Sequence, residues 1–411
     1  MKAVVFTLGC KVNECESDSL ICGLEKRGYE VSDKLVPADL YIVNTCAVTA
    51  EAEKKSRQMA SRIKKLNNNA KIIFTGCAVQ KNFSAFAEKD KNFLVTGVFN
   101  KQKILDMLDL SGVKISKPVT EYEELITAKS LRTRTYIKVQ DGCNNFCSYC
   151  IIPYLRGRSR GRNPQKVREE LLTLAPKEAV INGINLSAYE YEGLTLTDLM
   201  NSLSDIDTRI RLGSLEVNVI TDEFLIALKN LKNFAPHFHL SLQSGCDSVL
   251  KKMNRHYTTS EYAQKVNLIR KYFPLAGITT DIIVGFPTET EEDFLTTLEF
   301  VKSINFSDIH PFPFSPRSGT VAYKMKDISH EIKKQRLDKL LELKKQFKQN
   351  FAKQMVGERL ELLPEEIKGD YLEGYSENYL RLYLKSDIKI DNIVKVKVVA
   401  PFKDGALTEL E

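Results

Sequence analysis

The chain has 411 residues, 43% of them hydrophobic, with 60 Lys and Arg against 53 Asp and Glu for a formal charge of +7. That length calls for two or three domains, and the apolar content is ordinary for a globular protein and ample for sizeable cores. Apolar runs such as AVVFTLG and ITTDIIVGF are far too short to span a membrane, and residues 1–30 carry no secretory leader, so a soluble cytoplasmic protein is expected.

Apolar runs alternate with amphipathic stretches up to about residue 350, which predicts an α/β architecture. In the first hundred residues the strands are expected at Ala3–Leu8, Leu40–Asn44 and Lys71–Thr75, with helices at Ser17–Gly28 and Ala50–Leu66. Each strand runs into a cysteine: Cys10 after LG, Cys46 after NT and Cys77 after TG. In an open parallel sheet the carboxyl ends of the strands lie along one edge, where ligands bind. Three cysteines at three successive strand ends can therefore converge on a shared metal; thiols buried in the core are the alternative.

Residues 112–130 are polar, irregular and contain a proline, as an interdomain connection would be. Six further strands are expected at Thr135–Gln140, Ala179–Gly183, Ile210–Leu215, Phe238–Gln243, Ile278–Val284 and Ser307–Pro311. Helical stretches such as Pro164–Leu174 and Ser260–Tyr272 separate most of them. Six βα units predict an open, partial (βα)6 barrel with its chemistry at the strand C-termini. A lysine-rich helix from about Ser329 to Met355 leads into short alternating runs beyond Gly357, which read as a small antiparallel β-domain. The expected division is 1–112, a linker over 113–130, 131–355 and 356–411.

Nine cysteines in a chain without a secretion signal point to metals or catalysis rather than disulfides. The run DGCNNFCSYC spaces Cys143, Cys147 and Cys150 as C-x3-C-x2-C, so that one loop can offer three thiolates. Thiolates are the usual ligands of iron–sulfur clusters, and three of them leave one iron open for an exogenous ligand. Structural zinc, the alternative, wants four closed ligands, and neither a histidine nor a fourth cysteine lies nearby. Between Lys129 and Arg168 the only acid is Asp141, a local excess of base that suits a polyanion or forms a solvated surface. Within it, Arg156, Arg158, Arg160 and Arg162 alternate with small residues. They could lie along phosphates or pair with carboxylates inside the barrel.

The C-x3-C-x2-C motif with Tyr149 before its last cysteine resembles that of the radical S-adenosylmethionine (SAM) superfamily. More specifically, TLGCKVNECESD, VNTCAVT, TGCAVQ, QDGCNNFCSYCIIPYLRGRSRGR, HLSLQSGCDSVLKKMNRHYT, DIIVGFPTETEEDF and FPFSPRSGT resemble the methylthiotransferase family across nearly the whole chain. GCKVN, QDGC and SLQSGCD are closest to the branch acting on threonylcarbamoyladenosine in tRNA. The isopentenyladenosine branch typically reads GCQMN and PLQSGS, and the ribosomal-protein branch GCPKN.

The resemblance implies two [4Fe-4S] clusters, one on Cys143, Cys147 and Cys150 and an auxiliary one on Cys10, Cys46 and Cys77. It also implies two SAM molecules per turnover, one to methylate sulfur at the auxiliary cluster and one to generate a 5′-deoxyadenosyl radical. The adenine C2–H bond is not acidic, so a radical route is the one open to it. Candidate SAM contacts are Tyr149, Asn182, Gly183, Glu216, Gln243 and Arg255, each of which could equally be structural. Thr288 stands where the family often has glycine. Cys15, Cys22 and Cys246 are not family ligands and read as packing. The C-terminal segment resembles the TRAM domain, an RNA-binding β-barrel, with Tyr375, Tyr379 and Arg381 as candidate RNA contacts. Acids outnumber bases after Gly357, so RNA affinity there would need one basic face.

The expected partners are the anticodon stem-loop of ANN-decoding tRNA, an electron donor such as flavodoxin or ferredoxin, and an unidentified sulfur donor. The expected reaction is 2-methylthiolation of N6-threonylcarbamoyladenosine at position 37. The alternatives are isopentenyladenosine or a ribosomal-protein aspartate as substrate, an RNA-binding iron–sulfur sensor without turnover, and a zinc-dependent RNA-binding protein.

Overall fold

The structure is a computed structural model that describes residues 1–87, 92–386 and 390–411. Its contacts divide the chain into two compact units. One comprises residues 1–174, 182–193 and 315–323, the other 175–181, 194–314 and 324–411. Among the described residues no helix is long and apolar enough to cross a membrane.

The first unit begins with β1 (Lys2–Thr7), α1 (Lys11–Glu25), β2 (Glu30–Ser32), β3 (Leu40–Thr45), α2 (Ala50–Leu66), β4 (Lys71–Gly76), α3 (Cys77–Lys81), β5 (Phe93–Thr96) and β6 (Gly112–Lys114). The six strands form one parallel sheet in the order β2-β1-β3-β4-β5-β6. Its central strands are apolar on both faces, as a sheet covered on both sides requires: Val4, Tyr41, Val43, Ile72 and Phe74 pack on one side, Ala3, Val5, Ile42 and Ile73 on the other. Helix α1 starts six residues earlier than expected, directly after Cys10. Gly9, at φ 120°, turns the chain out of the strand, so Cys15 and Cys22 fall inside the helix.

The unit continues with β7 (Thr135–Asp141), α4 (Ile152–Arg156), β8 (Arg160–Gly161) and α5 (Pro164–Leu174). The segment expected as a connection belongs to this unit. Its first residues form β6, the Tyr122 hydroxyl donates to the Lys138 carbonyl at 2.6 Å, and the Asn100 amide donates to Glu123 at 2.6 Å.

The following elements are β9 (Glu178–Gly183), β10 (Glu190–Tyr191), β11 (Leu194–Thr195), α6 (Leu196–Ser202), β12 (Arg209–Leu212), β13 (Ser214–Leu215), α7 (Asp222–Lys229), β14 (His237–Leu240), α8 (Asp247–Lys252), α9 (Thr259–Tyr272), β15 (Gly277–Val284), α10 (Glu291–Ile304), β16 (Asp308–Pro313) and α11 (His330–Gln354). In the second unit β9 pairs parallel with β12, and β13-β14-β15-β16 form a parallel sheet. The strand expected over Ile210–Leu215 is split at Gly213 into β12 and β13. The α/β alternation that the periodicity predicts is present within each unit. Thr288 adopts φ 71°, where a β-branched side chain is strained and glycine is not.

The chain closes with β17 (Arg359–Lys368), β18 (Tyr371–Tyr375), β19 (Arg381–Lys385), β20 (Val394–Phe402) and β21 (Gly405–Leu410), a closed barrel in the order β17-β18-β19-β21-β20. Four of its pairings are antiparallel as expected. The fifth, β19 with β21, is parallel, and it removes the last exposed edge.

Candidate functional site

The N-terminal cysteines are placed by sheet register. Thr7 lies opposite Asn44, and Thr45 opposite Gly76, so the three strands end side by side. Side-chain bonds fasten these ends together. Asn13 Nδ2 donates to the carbonyls of Leu8 at 2.9 Å and Thr45 at 3.1 Å, and Thr45 Oγ1 donates to the Thr75 carbonyl at 2.6 Å. Cys10, Cys46 and Cys77 therefore share one edge, close enough for their charges to act on one another and on Arg156. Cys10 is exposed, whereas Cys46 and Cys77 are buried. Burial pushes the Cys46 thiol up to about 12.

Two glycines allow the close approach of neighbouring chain at this edge. A Cβ on Gly9 would lie 3.1 Å from Cys46 Sγ, and one on Gly76, at φ 101°, would meet Thr45 backbone at 2.5 Å.

The second trio lies on the loop after β7. The Cys143 amide donates to the Gly157 carbonyl at 3.1 Å and the Cys150 amide to the Cys147 carbonyl at 2.9 Å, which winds the loop tightly. Cys143 Sγ accepts from the Asn145 amide at 3.5 Å and from Asn185 Nδ2 at 3.7 Å. Gly142, at φ 72°, is required because a Cβ there would strike the Arg158 carbonyl at 1.9 Å. Both trios are all-thiol donor sets beside close-approach glycines, which fits iron–sulfur clusters. Among the described residues no group of three Cys, His, Asp or Glu side chains closes around a single metal ion. A cubane presents its irons at separate corners and takes ligands that stand farther apart.

Of the candidate SAM contacts, Asn182 and Gly183 lie in the first unit with Tyr149. A Cβ on Gly183 would stand 2.7 Å from Gln140 Oε1, the atom that accepts from the Asn185 amide at 2.9 Å. Gly183 thereby lets the strand end approach Gln140 and sets Asn185 toward Cys143. In the second unit Arg255 Nη1 pairs with Glu216 Oε1 at 2.8 Å, so the two present one neutral pair. Gln243, three residues beyond the end of β14, adopts φ 68° and forms an isolated bridge to Ile282 of β15.

The arginine run is largely committed to protein groups, which corrects the expectation of RNA contacts for three of its members. Arg156 is 1% exposed and bonds Asn13, Glu16 and Asp141. Arg160 donates to the Arg156 and Arg158 carbonyls at 2.9 Å each and lies 3.4 Å from Asp141. Arg162 pairs with Glu124 at 2.8 Å and with Glu170. These guanidiniums are themselves buried and spend their donors on carboxylates and carbonyls of the protein. Arg158 alone is exposed, over the Phe146 ring at 4.7 Å.

The C-terminal candidates need a similar correction. Tyr379 is sandwiched between His237 and Tyr375, with ring centroids at 4.4 and 4.7 Å, so neither of its faces is open to a base. Arg381 is engaged by Glu373 and Asp404. Cys246 Sγ lies 3.2 Å from Asp293 Oδ1, as a packed thiol would, and Cys22 Sγ points at the Thr127 carbonyl. The sequence reading missed Asn13, Glu16, Lys101, Lys138, Asp141 and Asn185. Apart from the local pair of Lys138 with Asp141, their decisive partners lie far away in the chain, and only the motif placement of Asn13 near Cys10 hinted at a role.

Family models match two stretches: Radical SAM superfamily over residues 137–301 and Uncharacterized protein family UPF0004 over residues 2–97. The chain is 37% identical to the threonylcarbamoyladenosine tRNA methylthiotransferase MtaB of Bacillus subtilis, over 98% of this chain and 96% of that one. It is 36% identical to the tRNA-2-methylthio-N(6)-dimethylallyladenosine synthase of Thermoanaerobacter pseudethanolicus, over 88% and 81%. Among solved structures, the radical SAM methyltransferase TsrM of Kitasatospora setae shares the fold at a TM-score of 0.54 and 14% identity, covering 75% of this chain and 72% of that one. Two thiol trios on one unit, and similarity running almost from end to end of a curated relative, place this chain in the methylthiotransferase family of radical SAM enzymes.

Proposed function

We propose that the protein methylthiolates C2 of N6-threonylcarbamoyladenosine at position 37 of tRNA, in the cytoplasm. The observation that carries this reading is the register of β1, β3 and β4, which sets Cys10, Cys46 and Cys77 on one edge of the unit that also holds Cys143, Cys147 and Cys150. Each trio would hold one [4Fe-4S] cluster, and SAM would meet the second trio near Tyr149, Asn182 and Gly183, with Glu216, Gln243 and Arg255 as its further contacts. When bound, these groups supply the one-electron chemistry and the sulfur that an unactivated aromatic C–H bond demands. The protein's own part is positioning. Asn13 and Thr45 hold the strand ends in register, and Asn185 donates toward Cys143.

The preference for the threonylcarbamoyl substrate is supported by the GCKVN, QDGC and SLQSGCD motifs and by relatives so named along nearly their whole length. Arg158 is proposed as a phosphate contact, and flavodoxin or ferredoxin as the electron donor.

Nucleoside mass spectrometry of tRNA from cells lacking the gene tests the substrate. The 2-methylthio form of threonylcarbamoyladenosine should disappear. Loss of the methylthio-isopentenyl nucleoside in its place would assign the other tRNA branch. In the anaerobically reconstituted enzyme, Cys46→Ala and Cys77→Ala should abolish methylthio product while SAM cleavage, which needs Cys143, Cys147 and Cys150, persists. A protein that yields no 5′-deoxyadenosine with SAM and dithionite is a sensor and not this enzyme, and zinc in place of iron and sulfide would make it a zinc protein.

A further inference from the structure

Arg156 opens the arginine run that follows the second cysteine loop, yet it faces neither RNA nor solvent. Its Nε donates to Cys77 Sγ at 3.4 Å, its Nη2 to Asn13 Oδ1 at 2.7 Å, and its Nη1 to Glu16 Oε1 at 2.8 Å and Asp141 Oδ1 at 3.2 Å. Every nitrogen of the guanidinium is thus held. The two carboxylates have further cations on them. Lys138 Nζ lies 3.0 Å from Glu16 and 2.7 Å from Asp141, Lys101 pairs with Glu16, and Arg160 lies 3.4 Å from Asp141. Four cations (Arg156, Lys101, Lys138 and Arg160) therefore contact two carboxylates, and with Glu123, a further carboxylate within electrostatic reach of Lys138 and Arg160, positive charge still exceeds negative by one. The six side chains in contact are at most 10% exposed. Unbalanced buried charge is costly unless anions complete the set. Thiolates on an iron–sulfur cluster are such anions, and one of their sulfurs, that of Cys77, already accepts from the network.

We propose that Arg156 is a positioning residue for the auxiliary cluster, which orients Cys77 and raises the cluster's reduction potential through its N–H···S bond and its buried positive charge. Hydrogen bonds to the ligand sulfurs and the charge around a cluster set its potential, and a cation close by in a low-dielectric interior favours the electron-rich state. The inference rests on the reading that Cys10, Cys46 and Cys77 hold a cluster. It gives the arginine motif a task at the first cysteine trio, although the motif follows the second in sequence.

Full-length protein carrying Cys143→Ala, Cys147→Ala and Cys150→Ala would hold the auxiliary cluster alone, and an anaerobic redox titration followed by electron paramagnetic resonance reads its potential. In that parent, Arg156→Gln should disfavour the reduced form at least tenfold, a fall of about 59 mV for a one-electron couple. Arg156→Lys, which keeps the charge but loses the planar fork, should fall between the two. An unchanged potential in Arg156→Gln overturns the proposal. Loss of the cluster from an Arg156→Gln protein whose apo form melts like the parent supports it. If Arg156→Gln does not fold, Glu16→Gln decides. Removing a carboxylate beside the same guanidinium should raise the potential, and no shift overturns the proposal. A triple-cysteine parent with no four-iron centre removes the auxiliary-cluster reading and this inference with it. A cluster indifferent to these substitutions leaves that reading standing.

Discussion

Two Arg-x-Arg runs, one in each unit, look alike in sequence and end in different kinds of networks. Arg156 in the first unit and Arg211 in the second are the two largest fully buried side chains, each 1% exposed. In the second unit Arg209 and Arg211 grip the buried Glu178, with Nε–O distances of 2.6 Å each, and Arg209 also lies 3.8 Å from Glu361. Arg209 Nη1 and both Nη atoms of Arg211 reach the backbone carbonyls of Glu361, Glu377 and Ser376 at 2.9–3.1 Å, and the Arg211 guanidinium lies 4.9 Å from the Tyr379 ring. Two cations there meet two carboxylates and neutral acceptors, which makes a charge-balanced strut against the C-terminal barrel. The first unit instead pairs four cations with two carboxylates and turns one donor toward a cysteine sulfur. Alternating arginines therefore do not by themselves mark an RNA surface. The charge balance of their partners separates a strut from a site that expects an anion.

The comparison is broken most sharply at Glu178. Glu178→Gln would leave two buried guanidiniums short of their counter-charge and should cost about 3–5 kcal/mol. The expected sign is an early urea transition by circular dichroism, while the two clusters of the reconstituted enzyme stay at parental iron content. Retention of the parental transition would make the strut dispensable. Next in size, Arg162→Met removes bonds to Glu124 and Glu170 and should cost about 1–3 kcal/mol, with no change in the salt dependence of tRNA binding. A reduced salt slope would return Arg162 to the phosphates.

A smaller effect is expected in the barrel. Asp404 accepts from Lys348 at 2.8 Å and from the Tyr383 hydroxyl, and its carboxyl is held at about 2, below the usual 3.8. Folding therefore favours its ionised form. That gain is complete above about pH 4 and is lost as the pH falls toward 2. Solvent screening keeps it below about 1 kcal/mol. Asp404→Asn should remove this part of the acid sensitivity in urea midpoints measured between pH 5 and 2, and an identical pH profile in the variant would show that the ion pairs of Asp404 contribute nothing. Smallest for stability is Arg158→Ala, within about 0.5 kcal/mol. Its effect belongs to binding: tRNA affinity should fall, and the salt slope should drop by about one. Filter binding at several salt concentrations measures both, and an unaltered slope takes Arg158 off the RNA.

Most of the architecture was legible because periodicity is a local property. Helices Ala50–Leu66 and Pro164–Leu174 stand at their expected bounds, and the nine expected strands are all present with ends displaced by a few residues. Helix α1 starts earlier than expected because its first two turns, KVNECES, are largely polar and show no apolar stripe, yet α1 packs against Arg156, Lys101 and Lys138 through Asn13 and Glu16. The parallel β19–β21 pair was invisible because barrel closure is a long-range constraint.

The sequence by itself determined the two cysteine trios, the alternation that builds the sheets, and the motifs that mark the family, since spacing and hydrophobic period are written in neighbouring residues. Only the tertiary structure decided what the arginines do. A guanidinium binds whatever carboxylate, carbonyl or sulfur the fold brings to it, and those partners, Glu16 for Arg156 and Ser376 for Arg211, lie 140 and 165 residues away along the chain.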